Sequence, residues 1–249
     1  MTRLLAVLLL PLCGAPALAG DSASAIVWVR TSAEYEASAR QAYAAASRAL
    51  REALRDKYWT AALEQGGNFF DLPPAVILDL DETVLDNSEF QARLARDGKP
   101  YSEETWSSWV AEQRARLVPG ALDFLTRARA SGVALFYVSN RVCNPRNPSD
   151  PTAQLLERYG VPLDRGSLMC KDGSGEKGPR RAFIARTHRV LLLIGDDLND
   201  FVSAPDDLAS REALSRIYSR FWGERWIILP NPMYGSWERA VPSKADALK

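Results

Sequence analysis

Short apolar segments recur along the chain, and polar residues follow each of them. Three are clear, at positions 76–78, 133–138 and 190–194, and a weaker one occupies 168–170. The sequence between them has the apolar spacing of helices. Continuous apolar strands separated by helical stretches are typical of a parallel sheet whose two faces are both covered. The pattern therefore predicts an α/β fold in which helices flank a parallel sheet.

A long amphipathic helix is predicted ahead of the first strand. Apolar residues with helical spacing form its inner face: Tyr35, Ala39, Ala42, Tyr43, Ala46, Ala49, Leu50, Ala53 and Leu54. Thr31 and Glu34 have the spacing of a capping box, so Thr31 is expected to cap the N-terminus of this helix. Its aromatic rings are expected to pack in the core and not against a ligand.

The stretch between the first two clear strands is rich in Glu, Arg and Trp. It predicts short helices, the last of which ends at Gly132. Trp106 and Trp109 lie there at helical spacing. That spacing is more often a sign of core packing than of a platform for substrate, and both roles remain open.

Length and charge narrow the class of protein. The 249 residues suffice for one domain with a sizeable core. Lys and Arg together number 31, as do Asp and Glu. This balance gives no support to a nucleic acid polymer or an anionic membrane surface as a partner, and no nucleic acid partner is expected.

The N-terminus predicts export. Residues 1–19 combine a short basic start, an apolar stretch and small residues, which is the pattern of a signal peptide cleaved after Ala19. The apolar stretch is too short and too interrupted by proline to span a bilayer. Residues 20–249 are therefore expected to form one mature domain that is periplasmic or secreted.

The chemistry is expected where the strands end. The polar residues at these points are Asp79-Leu80-Asp81-Glu82-Thr83, Ser139-Asn140-Arg141, Lys171 with Lys177, and Gly195-Asp196-Asp197-Leu198-Asn199-Asp200. In sheets of this kind, ligands bind outside the carboxyl ends of the strands. The four groups are therefore expected to meet in one site.

Asp79 and Asp81 carry the main chemical signal. Two carboxylates two residues apart repel each other and are costly to bury, so they serve a core poorly. Together they offer a nucleophile, a carboxyl group that can transfer a proton, and oxygen ligands for Mg²⁺. A motif this short is also compatible with a polar strand end on a surface loop. The three other polar groups favour a site.

Longer strings of the sequence resemble a known family. The order of DxDxT, Ser, Lys and GDxxxD is similar to that of the haloacid dehalogenase (HAD) superfamily of phosphohydrolases. The strings DLDETVLDNS at 79–88, YVSNR at 137–141, GDDLNDF at 195–201 and LPNPMYGSWE at 229–238 resemble class C acid phosphatases, the bacterial outer-membrane lipoprotein type. The resemblance extends from about residue 26 to residue 240.

The resemblance implies both a fold and an activity. The fold is a HAD-like, Rossmann-like parallel sheet with a small helical cap insertion at approximately 89–131 and an N-terminal helical extension. The activity is that of a Mg²⁺-dependent acid phosphatase that hydrolyses phosphomonoesters through an aspartyl-phosphate intermediate. The implied partner is a small phosphomonoester, with 5′-nucleotides and nicotinamide mononucleotide as candidates.

The resemblance also implies roles for the acidic residues. Asp79 is expected to be the nucleophile, and Asp81 is expected to give and take the proton. The implied metal site comprises Asp79, Asp81 through its backbone carbonyl, Asp196 and Asp200. Of these, Asp200 is expected to orient the waters on the metal.

The phosphoryl group is expected to be bound by Ser139, Asn140 and Lys177. The hydroxyl and the amide would donate hydrogen bonds to the phosphoryl oxygens, and the ammonium group would add positive charge. Lys177 fits the family pattern better than Lys171 does.

Other residues near the motifs are given more modest roles. Phe90 and Tyr234 are candidates for gripping a nucleotide base between two rings, with loop packing as the alternative. Thr83 and Asn87 are expected to shape their loop through backbone hydrogen bonds. Asp197 is expected to be solvated.

Three cysteines leave two questions open. The resembled family is often anchored by a lipid on the cysteine that ends the signal sequence, but Leu12 before Cys13 departs from that pattern. Cleavage after Ala19 is therefore favoured, and a membrane is a partner only if Cys13 is lipidated. Cys143 and Cys170 are equally compatible with a disulfide and with two buried free thiols.

A second class of function is a non-catalytic HAD-fold binding or storage protein. Such a relative is expected to have lost its nucleophile. Asp79, Asp81, Ser139, Lys177 and Asp196 are all present, so the sequence favours an enzyme. Sequence alone leaves the oligomeric state and the natural substrate open.

Overall fold

A five-stranded parallel sheet forms the centre of the fold. The computed structural model of the chain describes residues 23–241, so the predicted signal peptide and Cys13 lie outside the described part. The strands are β1 (Pro74–Leu78), β4 (Ala134–Val138), β5 (Leu168–Met169), β6 (Arg189–Gly195) and β7 (Trp226–Ile228), in the order β5-β4-β1-β6-β7. The predicted parallel sheet is confirmed, and β7 is an addition to the predicted strands.

Helices and one short antiparallel strand pair complete the part of the chain between residues 23 and 241. The helices are α1 (Ala23–Thr31), α2 (Ala33–Arg55), α3 (Ser88–Asp97), α4 (Glu103–Glu112), α5 (Ala121–Ala130), α6 (Pro151–Arg158), α7 (Gly178–Ala185), α8 (Leu208–Ile217) and α9 (Trp237–Ala240). An antiparallel pair is formed by β2 (Leu85–Asp86) and β3 (Arg116–Leu117), and a 3₁₀ turn spans Leu198–Asp200. No helix among the described residues has the length and apolar character needed to cross a membrane.

Side chains of the central strands alternate between two cores. Val76 and Leu78 of β1 pack in a cluster with residues of α2 and α5, whereas Ile77 packs in a second cluster with residues of α7. All seven residues of β6 are buried, which explains its unbroken apolar run. Leu78 pairs with Tyr137 of β4 and with Ile194 of β6, so the residues after these three positions emerge at one edge of the sheet.

The long N-terminal helix begins one residue later than predicted. Helix α1 continues through Thr31, so Ser32 is the extended residue that caps α2, and its Oγ accepts the N–H of Tyr35 at 3.0 Å. The predicted capping box of Thr31 and Glu34 is therefore wrong, because Thr31 is still helical. The predicted apolar face of this helix is largely buried.

Tyr43 connects this helix to the loop that follows β1. Its hydroxyl donates to the backbone carbonyl of Thr83 at 2.6 Å, and both groups are buried. Gly120 lies against the ring with a φ of +91°, and a Cβ at that position would be 3.3 Å from the Cβ of Tyr43. The N-terminal extension therefore contacts the loop that carries Asp79 and Asp81.

The insertion between β1 and β4 contains α3, α4 and the β2–β3 pair. Phe90 of α3 packs against Trp106 and Trp109 of α4, with ring centroids 5.2 and 6.1 Å away. Helix α5, which closes this stretch, packs against α2 and β4 as part of the layer that covers the sheet. The proposed cap at 89–131 stays a prediction.

Cys143 and Cys170 are joined in a disulfide, with their Cα atoms 5.6 Å apart. The bond connects the loop after β4 to the end of β5. Of the two alternatives that the sequence leaves open, the structure therefore has the bonded pair. Both cysteines lie close in sequence to residues expected to bind the phosphoryl group.

Replacing both Cys143 and Cys170 with serine is expected to lower the free energy of unfolding by about 3 kcal/mol, because the bond closes a loop across 27 positions. In a domain of this size, the corresponding loss in Tm is roughly 6–12 °C. Thermal unfolding of the double variant and of the wild type, each with and without reductant, measures it. Two reactive thiols in the denatured, non-reduced chain starting at residue 20 would contradict the bond.

Candidate active site

The loop after β1 places Asp79 at the edge of the sheet. Its N–H donates to the carbonyl of Ile194 at 2.9 Å, which extends the pairing with β6 by one residue. The chain then turns sharply, because the N–H groups of Val84 and Leu85 both donate to the carbonyl of Leu80 at 2.8 Å. Asp79 is 8% exposed, so its carboxylate is largely shielded from water.

Lys177 lies between two of the predicted acidic residues. Its ammonium group contacts the carboxylate of Asp79 and donates to Asp200 Oδ1 at 2.5 Å. Burial opposes the charge on Lys177, but Asp200 and Asp79 outweigh it and raise the pKa of the ammonium group above its usual value. Lys171 is exposed. The structure thus brings Lys177, and not Lys171, to the predicted site.

Three carboxylates converge beside Lys177. One oxygen from each of Asp79, Asp196 and Asp200 lies within 4.8 Å of the others. Burial raises the pKa of Asp79 to about 7, with Lys177 opposing the shift and Asp200 and Asp81 reinforcing it. Burial, followed by Asp200 and Asp79, also raises the pKa of Asp196 well above its usual value. An all-oxygen group short of positive charge is suited to hold a divalent cation.

Gly195 allows Asp200 to approach the end of β6. Asp200 Oδ2 accepts the N–H groups of Asp196 at 3.1 Å and of Asp197 at 2.9 Å. A Cβ on Gly195 would lie 2.1 Å from that same oxygen. The position therefore requires glycine. This close approach explains why the GDxxxD string begins with that residue.

Asp196 and Asp197 are attached to other segments of the chain. Thr83 Oγ1 donates to Asp196 Oδ1 at 3.3 Å, and Asn231 Nδ2 donates to Asp196 Oδ2 at 2.8 Å. The expectation that Asp197 is merely solvated is wrong, because its carboxylate accepts the N–H and the hydroxyl of Ser236 at 2.7 and 2.6 Å. Asn231 is an addition to the predicted site, and its polar position in a Pro-rich string is the one signal that the sequence offers.

Asp81 is bound by an arginine to which the sequence assigns no role. Arg141 donates to Asp81 Oδ1 through Nε and Nη2 at 3.0 and 2.7 Å, and through Nε to Oδ2 at 3.1 Å. Asn87 Nδ2 gives Oδ1 another bond at 2.8 Å, so Asn87 acts through its side chain as well as shaping the loop. Arg141 ends the YVSNR string, and its place after a strand end could have identified it.

Glu82 is a further buried acid that sequence reasoning missed. Its φ of 57° lies in the left-handed region, and the residue is 2% exposed. Its carboxylate accepts the N–H of Asn87 at 2.8 Å, the amide of Asn87 at 3.2 Å, and the hydroxyl of Tyr234. Burial and the charge of Asp81 raise the pKa of Glu82 to about 8, although the bonds from Tyr234 and Asn87 oppose the shift.

Ser139 and Asn140 lie at the end of β4, where an arginine of α7 binds both. Arg180 donates to the carbonyl of Ser139 and to Asn140 Oδ1, each at 2.6 Å. Ser139 is fully buried, and its Oγ accepts the N–H of Arg141 at 3.1 Å. Asn140 lines the cleft that opens over the carboxylates.

That cleft has a volume of about 1230 Å³ and brings aromatic rings near the acids. Tyr234 lines it, as the base-gripping hypothesis requires. The structure does not bring Phe90 there, because Phe90 is 3% exposed and packs against Trp106 and Trp109. The insertion instead contributes Tyr101 and Trp106 to the wall of the cleft, and Trp109 is core.

Comparison with known proteins agrees with this geometry. A family model described as HAD superfamily, subfamily IIIB (acid phosphatase), matches residues 15–237. The fold is similar to that of the class C acid phosphatase from Bacillus anthracis, with a TM-score of 0.77 and 34% identity over 90% of this chain and 91% of that chain. It is also similar to the Bacillus anthracis class C acid phosphatase with tungstate bound, with a TM-score of 0.75 and 32% identity over 90% and 91% of the two chains.

The matches cover nearly all of the described residues, and they agree with the motif strings that suggested the family. The carboxylates, the lysine and the strand-end polar residues lie together at the carboxyl edge of the sheet, which is where ligands bind in parallel sheets of this kind. The chain therefore belongs to subfamily IIIB of the HAD superfamily and is an acid phosphatase, a hydrolase of phosphomonoesters.

Proposed function

We propose that the protein is a Mg²⁺-dependent phosphatase that works through an aspartyl-phosphate on Asp79. The observation that carries the proposal is the convergence of Asp79, Asp196 and Asp200 within 4.8 Å beside Lys177. A carboxylate that attacks a phosphate dianion faces strong like-charge repulsion. The reaction therefore needs more positive charge next to Asp79 than Lys177 alone supplies.

The donor set fits a hard divalent cation. Asp79 and Asp196 would hold Mg²⁺ through carboxylate oxygens and Asp81 through its backbone carbonyl, with Asp200 orienting waters on the ion. The ion supplies positive charge that offsets the repulsion between nucleophile and phosphoryl group. Asn231 keeps Asp196 in place by donating to its Oδ2 at 2.8 Å. An all-oxygen donor set suits Mg²⁺ better than softer metals.

The proposed reaction has two steps, formation of the acyl phosphate and its hydrolysis. Asp79 attacks the phosphorus while Asp81 protonates the departing alkoxide, and Asp81 then takes a proton from the water that hydrolyses the acyl phosphate. Lys177 keeps its positive charge next to Asp79 throughout. Ser139 and Asn140 would donate hydrogen bonds to the phosphoryl oxygens. The relative from Bacillus anthracis has been solved with tungstate, a tetrahedral oxyanion like phosphate, which supports a phosphoryl pocket in this family.

We propose 5′-nucleotides and nicotinamide mononucleotide as substrates. The cleft of about 1230 Å³ has room for a mononucleotide, and Tyr234, Tyr101 and Trp106 line it with aromatic surface. Rings stack on any base without demanding a particular one, which suits a broad specificity. The non-catalytic alternative has no support, since such a relative is expected to have lost its nucleophile and this chain retains Asp79.

The mature enzyme is proposed to be periplasmic or secreted. The pattern of residues 1–19 and the disulfide between Cys143 and Cys170 support this, because disulfides persist in oxidising compartments. Cleavage after Ala19 and lipidation at Cys13 give mature N-termini of different mass, which intact mass spectrometry distinguishes.

Asp79→Asn is expected to lower kcat by on the order of 10⁴-fold or more, because it replaces the nucleophilic carboxylate with a neutral amide. Phosphate release from a panel of monoesters measures the effect. Asp123→Asn, an exposed aspartate on α5, is the matched control and should retain full activity. Equal turnover by Asp79→Asn and wild type would exclude covalent catalysis through Asp79.

Removal of divalent cations with a chelator is expected to abolish phosphate release, and added Mg²⁺ should restore it. Because an ion that binds the folded state stabilises it, Mg²⁺ should also raise the Tm of the wild type. Asp196→Asn is expected to weaken the apparent affinity for Mg²⁺ at least about tenfold, since it removes a charged ligand. Full activity of the chelated enzyme would rule out the metal-dependent mechanism.

Tyr234→Ala is expected to raise the KM for a 5′-nucleotide about tenfold, because it removes a ring on which the base can stack. Tyr234→Phe keeps the ring and should leave this KM near the wild-type value. Phe90→Ala should destabilise the fold, since Phe90 is buried, without a selective effect on nucleotides. If Tyr234→Ala changes KM equally for a nucleotide and for glycerol 2-phosphate, stacking on this ring is not the cause.

A further inference from the structure

Asn87 is fully buried and occupies the centre of a hydrogen-bond network that includes Asp81. Its side-chain oxygen accepts the indole N–H of Trp109 at 2.8 Å and Arg141 Nη2 at 3.3 Å. Its side-chain nitrogen donates to Asp81 Oδ1 at 2.8 Å and to Glu82 Oε2 at 3.2 Å. The amide thus connects two donors on one side with two carboxylates on the other.

The chemistry of the neighbours allows one orientation of this amide. The indole of Trp109 and the guanidinium of Arg141 can only donate, so they require the oxygen of Asn87 on their side. The carboxylates of Asp81 and Glu82 accept, so they require its nitrogen. A rotation of the amide by half a turn would place oxygen against oxygen and nitrogen against nitrogen. Trp109 therefore helps to determine which atom of Asn87 faces Asp81.

The network fixes the carboxylate of Asp81 asymmetrically. Oδ1 accepts three bonds, from Asn87 Nδ2 at 2.8 Å and from Arg141 Nη2 and Nε at 2.7 and 3.0 Å. Oδ2 accepts one, from Arg141 Nε at 3.1 Å. Oδ2 consequently keeps more free lone-pair capacity, and Asp81 lines the cleft. This arrangement leaves Oδ2 as the oxygen that can exchange a proton with a bound ester or a water.

Trp109 connects the packing of the insertion to Asn87. It lies in α4, is 2% exposed, and its ring stacks on Phe90 of α3 with centroids 6.1 Å apart. Asn87 is the residue that precedes α3. The packing of α3 against α4 therefore fixes the indole N–H, and the indole fixes the amide that reaches Asp81.

We propose that Asn87, oriented by the indole N–H of Trp109, is a positioning residue that turns Asp81 toward the leaving-group oxygen. This inference rests on the proposed role of Asp81 as the proton donor. It assigns the insertion a part in the chemical step in addition to any role in covering the cleft. The helices of the insertion would then control how well a departing alkoxide is protonated.

The test compares two esters that differ in their need for a proton. Glycerol 2-phosphate releases a poor leaving group that depends on the acid, whereas 4-nitrophenyl phosphate releases a stable phenolate that depends on it little. The ratio of kcat/KM for the nitrophenyl ester to kcat/KM for the alkyl ester therefore reports how well the acid is positioned. Trp109→Phe keeps an aromatic ring in the core and removes the N–H.

Trp109→Phe is expected to raise this ratio about tenfold, a part of the 10²–10⁴-fold that a positioned acid contributes. The matched control is Trp226→Phe, a fully buried tryptophan whose indole N–H donates to the carbonyl of Ala61 at 2.9 Å. It should lose a similar amount of stability and leave the ratio unchanged. Asn87→Ala removes the amide itself and should raise the ratio at least as much, and it decides the question if Trp109→Phe does not fold.

Asp81→Asn, measured together with the other variants, tests the acid role of Asp81 separately from the positioning role of Asn87 and Trp109. If Asp81→Asn raises the ratio but neither Trp109→Phe nor Asn87→Ala does, the positioning role is overturned and the acid role of Asp81 stands. If Asp81→Asn itself leaves the ratio unchanged, the acid role fails and the positioning role fails with it. A rise in Trp226→Phe equal to that in Trp109→Phe would also overturn the proposal, because the effect would then follow from general loss of packing.

Discussion

Several carboxylates lie close together at the carboxyl edge of the sheet, and the surrounding residues of the site offset their mutual repulsion. The carboxylates of Asp79, Glu82 and Asp200 are buried there, and those of Asp81 and Asp196 lie beside them, partly buried. Uncompensated buried charge is costly, so each carboxylate has identifiable donors. Such a concentration of negative charge would be a defect in a core, but at this edge it forms an all-oxygen group suited to hold a divalent cation.

The donors that compensate these negative charges come from several segments of the chain, and each contact holds one segment next to the acids. Lys177 brings the start of α7 against the end of β1, and Arg141 brings the loop after β4 to the same place. Asn231 and the hydroxyl of Tyr234 bring in the segment after β7. The acids therefore organise the loops around them, and the loops in turn form the walls of the cleft.

The sequence predicts those features of the molecule that depend on short, continuous segments of the chain. The apolar runs predict the strands β1, β4, β5 and β6, and the strand ends predict Asp79, Lys177 and Asp196, because strand termini in a parallel sheet share one edge. The motif strings predict the family. The sequence does not identify β7, because the apolar run at 226–229 is short and periodicity alone cannot distinguish it from a buried helical segment.

Other features depend on contacts between distant positions and leave little trace in local sequence. Glu82 and Tyr234 are 152 positions apart, and Arg141 reaches Asp81 across 60. Phe90 is a residue for which the prediction is wrong. Its position just after the first motif suggests that its ring lines the cleft, but the packing of α3 against α4 places the ring in the core. Propensity and proximity along the chain cannot resolve such choices, because tertiary packing decides them.

The hydroxyl of Tyr43 makes the acidic site depend on the N-terminal helix. The carbonyl of Thr83 is buried, and its donor arrives only when the N-terminal helix docks against the sheet. A chain in which α2 is not docked would leave that buried carbonyl without its donor, in the loop that carries Asp79 and Asp81. A change in the N-terminal helix can therefore alter the acidic site from outside it, because none of the residues 33–55 lines the cleft.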